Sequence, residues 1–405
     1  MSNTLLTIDM ITKEALRIAH EKAVFIGSIN RQFDKSWSSE GATGSTLRIR
    51  TPAQYTRRQG SRVMDVQDST QTSTSLVVAT QDGVDLRFNS QELSQSLDSF
   101  SKLHLEPAMA QLVSGIDSDV LVGCTRLTYN FAGTANTPIS SLTAPGAART
   151  RLNQSLAPKG DRSLQVNSGQ MQTLVSGTAA YFNPSNAISE QYREGLVART
   201  AMADYYENER IWSMPNTADV AGGLDAYTIT NGDTSLTVSS FATPTVGMVF
   251  TIGTGTTGVY DCHPETKQGY SQLKQFTILT GSTATELNIS PTIYLTGPRQ
   301  NVAHSNGSTL QVSACSGAVF TCLGDASSTY PQALMYHKDA FTFATAELPL
   351  MSDAISCSRA TKDGLSVRVW RASDIRNDEV LTRIDILYGY AAIRPEWACR
   401  VIGTV

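Results

Sequence analysis

The apolar positions change period along this chain, and the changes mark out its elements. Near the start, Leu5, Ile8, Ile11, Ala15, Ile18 and Ala19 recur three or four residues apart, with Lys13, Glu14 and Arg17 on the other side. That spacing predicts a helix over 4–22 with one buried face. From Gly44 the period drops to two. In 45–51, Leu47 and Ile49 alternate with polar neighbours, which suits a half-buried strand. Residues 71–80 are rich in β-branched side chains and suit its partner. The stretch between them, 52–70, reads as polar and carries Arg57, Arg58 and Arg62. The pair therefore predicts a long hairpin with a basic tip.

A second helical stripe follows over 96–123: Phe100, Leu103, Met109, Leu112, Val113, Ile116, Val120 and Leu121. Pro107 has no N–H to donate, so a break is predicted there and the long straight part after it. Pro145 and Pro158 bracket a short helix over 146–156. A short strand is predicted over 177–182, then a turn at Asn183-Pro184 and another helix. At Ala221 the composition shifts to Thr, Ser, Gly and Val. Short β-like runs at 226–230, 235–238, 248–252, 276–279, 286–289 and 309–312 predict a small antiparallel barrel, inserted into a mixed region. Gly222-Gly223 and Asn306-Gly307 mark its expected hinges. After it, 365–370 alternates as a strand. The last 25 residues predict two buried strands, around 381–388 and 398–402, with Gly389 breaking the first and Arg394-Pro395 forcing an extended turn.

Length and composition add bounds. A chain of 405 residues exceeds one ordinary core, so several domains are expected. With 40% hydrophobic and 17% charged residues it is globular in composition. The net charge of -4 gives no whole-molecule attraction to nucleic acid. Arginine outnumbers lysine, which favours fixed, planar ion pairs at packed contacts. No run of apolar residues is long enough for a membrane span, and the start lacks the pattern of a signal peptide. The glycosylation-type triplets at Asn153, Asn288 and Asn306 are therefore expected to be idle. The six cysteines are expected as thiols.

Candidate chemistry is sparse. Gly253 to Gly258 (GTGTTG) fits a dinucleotide fingerprint in letters only, because VYDCHPETKQGY follows with no helical stripe. Cys262, His263, Cys315 and Cys322 match no compact zinc spacing. No nucleophile elbow or Walker loop is present. No catalytic residue, cofactor or metal is therefore expected, and the chain is not read as an enzyme. The arginines of the hairpin tip remain. A solvated surface, a protein contact and a phosphate contact all suit them.

Several stretches resemble one family. ITKEALRIA, GSTLRIRTP, GVDLRFNSQELSQSLDSF, NPSNAISEQYREGLVART, HKDAF within 333–350, and Tyr388-Gly389 followed by Arg394-Pro395 resemble the tailed-bacteriophage major capsid proteins of the Hong Kong 97 fold. The nearest group is the coat proteins of the Salmonella short-tailed transducing-phage type. The resemblance touches 8–34, 44–125, 181–200, 246–290 and 333–403. It implies an α+β fold with an N-terminal arm (1–40), an extended hairpin loop (41–82), a peripheral domain with a spine helix (83–125), an axial domain (126–221), an inserted β-barrel domain (222–312) and a return through both domains (313–405). The long acidic loop of that group's barrel has only Asn231-Gly232-Asp233 as its equivalent here.

The function implied is self-assembly into hexamers and pentamers of an icosahedral shell, in the virion and built in the host bacterial cytoplasm. Implied partners are the chain itself, a scaffolding protein and portal during assembly, a decoration protein where one exists, and double-stranded DNA enclosed non-specifically; no membrane is implied. A phage surface protein binding a receptor or carbohydrate through the barrel is the alternative. Between Lys35 and Lys102 there is no lysine, so a hairpin-donated isopeptide cross-link is not expected. The tip arginines Arg57, Arg58 and Arg62 are expected to dock on a neighbouring subunit, with Asp85, Glu92 and Asp98 as acidic landing candidates.

Overall fold

The computed structural model describes residues 8–33, 45–89, 104–178, 203–303 and 318–404, apart from short breaks at 59, 61–62, 65, 69–70, 105, 218, 225–228, 240, 242, 255–257, 353–354 and 363. In chain order the helices are α1 (Ile8–Lys22), α2 (Val24–Ser28), α3 (Glu106–Leu127), α4 (Thr143–Gln154) and α5 (Ser168–Thr178). The strands run from β1 (Thr46–Arg50), β2 (Ser73–Val77) and β3 (Thr80–Asn89) through β4 (Phe131–Pro138), β5 (Arg162–Val166), β6 (Asp204–Glu207) and β7 (Ser213–Pro215). Next come β8 (Ala221–Gly223), β9 (Asp233–Thr237), β10 (Val249–Ile252), β11 (Tyr260–Cys262), β12 (Gly269–Leu273), β13 (Gln275–Ile278), β14 (Glu286–Ile293), β15 (Val302–Ala303) and β16 (Val319–Cys322). The last are β17 (Thr329–His337), β18 (Phe341–Ala346), β19 (Ser356–Lys362), β20 (Leu365–Asp374), β21 (Glu379–Ala392) and β22 (Ala398–Thr404). The chain divides into two compact units: Met1–Ile49, Ser73–Leu121 and Phe341–Ile393 form one, and Arg50–Thr72, Val122–Ala340 and Arg394–Val405 the other. Among the described residues no helix is long and apolar enough to cross a membrane.

The first unit is built on an antiparallel sheet in the order β18-β21-β20-β19, with β3 added along β21. Val369 and Ile384 lie opposite one another and are buried, and α1 packs against β19 and β20 with Ile11, Ala15, Ile18 and Ala19 buried. The predicted helix thus appears over its described part, from Ile8. In α3 the predicted stripe is buried from Met109 to Leu121. Pro107 stands in its first turn, where a missing N–H costs nothing. Phe100 and Leu103 lie outside the described residues. One buried polar link ties these helices. The Asp117 carboxylate of α3 accepts the backbone N–H groups of Phe25 and Ile26, both at 3.0 Å. It thereby satisfies donors that the first turn of α2 leaves free.

Two sequence expectations fail here. Gly389 does not break β21; it sits inside the strand opposite Ala344. A Cβ at that position would lie 2.0 Å from the Val77 carbonyl oxygen, so the glycine admits a crossing backbone rather than a turn. β3 was not expected as a strand of its own. Its sequence, TQDGVDLRFN, is mostly polar because it pairs along β21 and leaves much of its length exposed.

The second unit carries a mixed sheet, β4-β22-β17-β5-β6, with β7 also on β17. The pairs β4–β22 and β5–β6 are parallel. α4 and α5 supply Ala148, Leu152, Met171 and Leu174 to its core. The predicted strand over 177–182 is corrected where it can be seen. Gly177 and Thr178 end α5, where a Cβ on Gly177 would meet the Ser140 carbonyl oxygen at 1.7 Å and the Thr178 hydroxyl donates to Leu174 O. The rest of that strand and the Asn183-Pro184 turn lie outside the described residues.

Also in this unit is a six-stranded antiparallel sheet, β8-β16-β10-β13-β14-β9. Its two outer strands approach each other: Leu224 bridges Val238, and Ser239 N–H donates to Gly223 O at 3.0 Å. Its core centres on the rings of Phe241, Phe250, Phe276 and Phe320, with centroids 5.2–5.8 Å apart. A small sheet, β12-β11-β15, completes the region. The predicted runs at 235–238, 248–252, 276–279 and 286–289 coincide with β9, β10, β13 and β14, while 309–312 and most of 226–230 fall outside the described residues.

Candidate subunit interface

The hairpin is anchored at its root and bare at its tip. Leu47 and Ile49 of β1 and Leu76 of β2 pack with Ala344 and Ala391, so alternation buries one face of the root. Beyond the strands, Thr51 and Thr72 hold the arms together: N–H of Thr51 donates to Thr72 O at 2.8 Å and the two hydroxyls are 2.6 Å apart. Further out, the Gln67 side-chain amide takes the place of a strand neighbour. It accepts from Thr56 N–H at 2.8 Å and donates to Thr56 O at 2.7 Å. The Arg58 guanidinium donates to Val63 O across the turn.

What the tip presents differs from the expectation. Arg57 and Arg58 are exposed, as a basic tip requires. Tyr55, Val63, Met64 and Val66 are exposed too, the last three at 76%, 76% and 81%. Reading 52–70 as merely polar overlooked Val63, Met64 and Val66, apolar side chains that stand exposed. Among the landing candidates, Asp85 stands on β3 with 76% of its side chain exposed and lies 3.8 Å from Arg383 of β21. Arg62, Glu92 and Asp98 lie outside the described residues.

The arm of the hairpin has a second environment. Pro52, Tyr55 and Arg57 line a cavity of about 620 Å³, together with Tyr129, Glu396 and Trp397. Burial raises the Glu396 carboxyl above its usual range, with Arg394 at 3.8 Å drawing it back. Lys274 in the same wall is paired with Asp261 at 2.8 Å.

Elsewhere among the described residues the histidines and cysteines of catalytic or metal-binding type are found singly. His263 Nδ1 accepts the N–H groups of Glu265 and Thr266, each at 3.1 Å, and so belongs to a turn. Cys262, Cys322, Cys124, Cys357 and Cys399 are free thiols, and burial pushes those of Cys322 and Cys399 up to about 12. Cys315 lies outside the described residues. No group of three or more His, Cys, Asp or Glu among the described residues is placed to hold a metal. Gly253 and Gly258 lie between β10 and β11, and the next element among the described residues is that strand rather than a helix.

Residues 218–403 match the family model described as P22 coat protein, gene protein 5. No curated protein matches the chain. Among solved structures, a chain titled "Mycobacterium phage Che8" is similar at a TM-score of 0.52 and 12% identity, over 93% of this chain and 90% of that one. "Capsid of Ralstonia phage GP4" follows at 0.46 and 7%, over 93% and 88%. "Capsid structure of the Cyanophage P-SCSP1u" stands at 0.42 and 11%, over 89% and 84%. The first likeness shows the fold, which is of the Hong Kong 97 type, and residues 218–403 are similar to the P22 coat protein family.

Proposed function

We propose that copies of this chain close into hexamers and pentamers of an icosahedral shell, with the hairpin of each lying on its neighbour. The observation that carries the reading is the tip. A two-stranded hairpin is marginal in water, and this one exposes Tyr55, Val63, Met64 and Val66 beyond its buried root. A neighbouring subunit supplies the burial that the lone chain lacks. Arg57, Arg58 and Arg62 then approach carboxylates of that neighbour, with Asp85, Glu92 and Asp98 as the candidates. Asp85 changes partner from Arg383 in doing so.

In the same reading residues 222–312 are an inserted, closed barrel, whose sheet takes one strand, β16, from beyond that boundary. Support comes from the contacts between its outer strands at Leu224–Val238 and Gly223–Ser239, since closure leaves no open edge. The domain boundaries at 40, 82, 125, 221 and 312 follow the same scheme. Scaffolding protein and portal act during assembly in the host cytoplasm, decoration proteins attach afterwards where present, and the shell encloses double-stranded DNA without reading it. Closure is non-covalent, because no lysine lies between Lys35 and Lys102.

Electron microscopy and sedimentation of the purified chain test the reading. Capsomers or closed particles are expected. Small oligomers alone would overturn it, and a ladder of covalent oligomers from mature particles on a denaturing gel would overturn non-covalent closure.

A further inference from the structure

Arg400, near the end of the chain on β22, is fully buried, and no carboxylate among the described residues pairs with it. Its charge is met by oxygens from three separate places. One terminal nitrogen donates to Gly247 O at 2.5 Å. The other donates to Arg126 O at 3.0 Å and to the Thr277 hydroxyl at 3.2 Å. Arg126 lies in the last turn of α3, whose carbonyls carry the negative end of the helix dipole. Thr277 is in β13, and Gly247, just before β10, donates its N–H to Ile278 O of β13 at 2.8 Å, so both are fixed to the six-stranded sheet. Burial draws the guanidinium down to about 9, which leaves it a cation at neutral pH.

The surroundings are fitted to this group. Trp212 meets two guanidinium carbons, Arg126 at 5.0 Å and Arg400 at 5.8 Å from its ring centroid. Gly247 has φ +94, and a Cβ there would come within 2.7 Å of the Trp212 ring. Beside it the Gln275 side chain pairs with the Phe131 backbone as a strand would, accepting from N–H at 2.7 Å and donating to O at 3.1 Å. Thr277 adds a hydroxyl bond to Arg126 O at 3.1 Å. The six-stranded sheet thus meets α3 and β22 through directional polar contacts.

We infer that Arg400, with Arg126, Trp212, Gly247 and Gln275, is a joint that fixes the angle of the six-stranded sheet on the body sheet and thereby makes shell curvature uniform. Burying a charge gains little stability over a well-packed apolar group, so what the arginine adds is direction. Its planar fork fixes angles at three acceptors, where a lysine would swivel on a single point charge. Fixed orientation of the inserted sheet runs against the hinge expected at Gly222-Gly223. The inference rests on the reading of the chain as a shell subunit.

The test is Arg400→Lys in the full-length chain, with two readouts. Hydrogen exchange of the unassembled chain follows Phe131 N–H, bonded at the joint, and Ile278 N–H, bonded inside the six-stranded sheet to Met248 O. Exchange at Phe131 about tenfold faster, with Ile278 unchanged, is expected. Assembled particles should spread in diameter under electron microscopy. Joint acceleration of both amides, acceleration of neither, or particles as uniform as the parent's would each overturn the inference. If Arg400→Lys does not fold, Gly247→Ala displaces Trp212 instead and is read by the same criteria. A parent chain that forms no closed particles would sink the shell reading, and the exchange readout alone would then decide the joint.

Discussion

The six-stranded sheet and the hairpin are both β structures, and they treat water in opposite ways. The first turns Phe241, Phe250, Phe276 and Phe320 inward and brings its outer strands together. The second buries Leu47, Ile49 and Leu76 only at its root, and carries Val63, Met64 and Val66 into solvent. One region is complete within the chain. The other acquires its missing contacts only from something else, and in the shell proposed above that is another copy.

The sharpest way to break this contrast is to damage each region in turn. Phe250→Ala removes a fully buried ring with two aromatic neighbours, and a loss of about 3–5 kcal/mol is expected in denaturant melts. The triple change of Val63, Met64 and Val66 to serine should move the melt of the unassembled chain by no more than about 0.5 kcal/mol, while lowering the yield of closed particles. If the tip variant destabilised the lone chain as much as Phe250→Ala, the tip would already be buried in it and the contrast would vanish.

At the hairpin root the expected effect is smaller. Gly389→Ala places a methyl group against the Val77 backbone, and overpacking of this kind costs about 1–3 kcal/mol. The site also joins β2 to β21, so proteolysis within 52–70 should quicken along with the loss in stability. An unchanged cleavage rate would mean that the root does not hold the arm in place.

Parts of this arrangement were open to reading and parts were not. The α3 stripe and the strands β10, β13, β20 and β21 show themselves because periodic burial writes itself locally. β3 hides because an exposed strand has no reason to be apolar. Gly389 and Gly177 were misread because the backbone each one admits belongs to a residue far away in sequence, Val77 and Ser140. Arg400 is the extreme case. In ACRVIG it looks like any polar position of a strand, and its meaning depends on residues 126, 247 and 277. The apolar tip was visible as Val63-Met64-Asp65-Val66 but was masked by the arginines around it.

A lesser effect is expected from pH within the second unit. His337 is buried beside the edge of Trp397, ring centroids 5.5 Å apart, and its Nδ1 accepts Asp339 N–H. Burial lowers its affinity for a proton, outweighing the pull of Asp339 and Asp161, while Arg162 and Lys338 push the same way as burial. With the folded value below 6.5, the unfolded chain binds more protons between the two values. Stability should therefore be full above pH 6.5 and fall as pH drops towards the folded value. His337→Gln should flatten the slope of melting temperature between about pH 5 and 7. A slope equal to the parent's would assign it to other groups.

The smallest effect on the lone chain, and the finest test of the contrast, is Arg57→Ala with Arg58→Ala. Both side chains are exposed, and an exposed ion pair contributes about 0–1 kcal/mol, so any pair that forms between subunits is weak singly. Arg58 also bonds Val63 O across the turn, so its loss loosens the presentation of the apolar run. Melting of the unassembled chain should hardly change. The yield of closed particles should fall at low salt, and the shortfall against the parent should narrow as salt is raised, because screening weakens the parent's ion pairs and leaves apolar contact in place. Arg58→Ala alone separates the two roles. If it matches the double variant, the arginine works by shaping the turn; if the double variant is clearly worse, Arg57 meets a neighbour directly. Normal particles that retain less DNA would place the tip against phosphate and remove it from the subunit interface altogether.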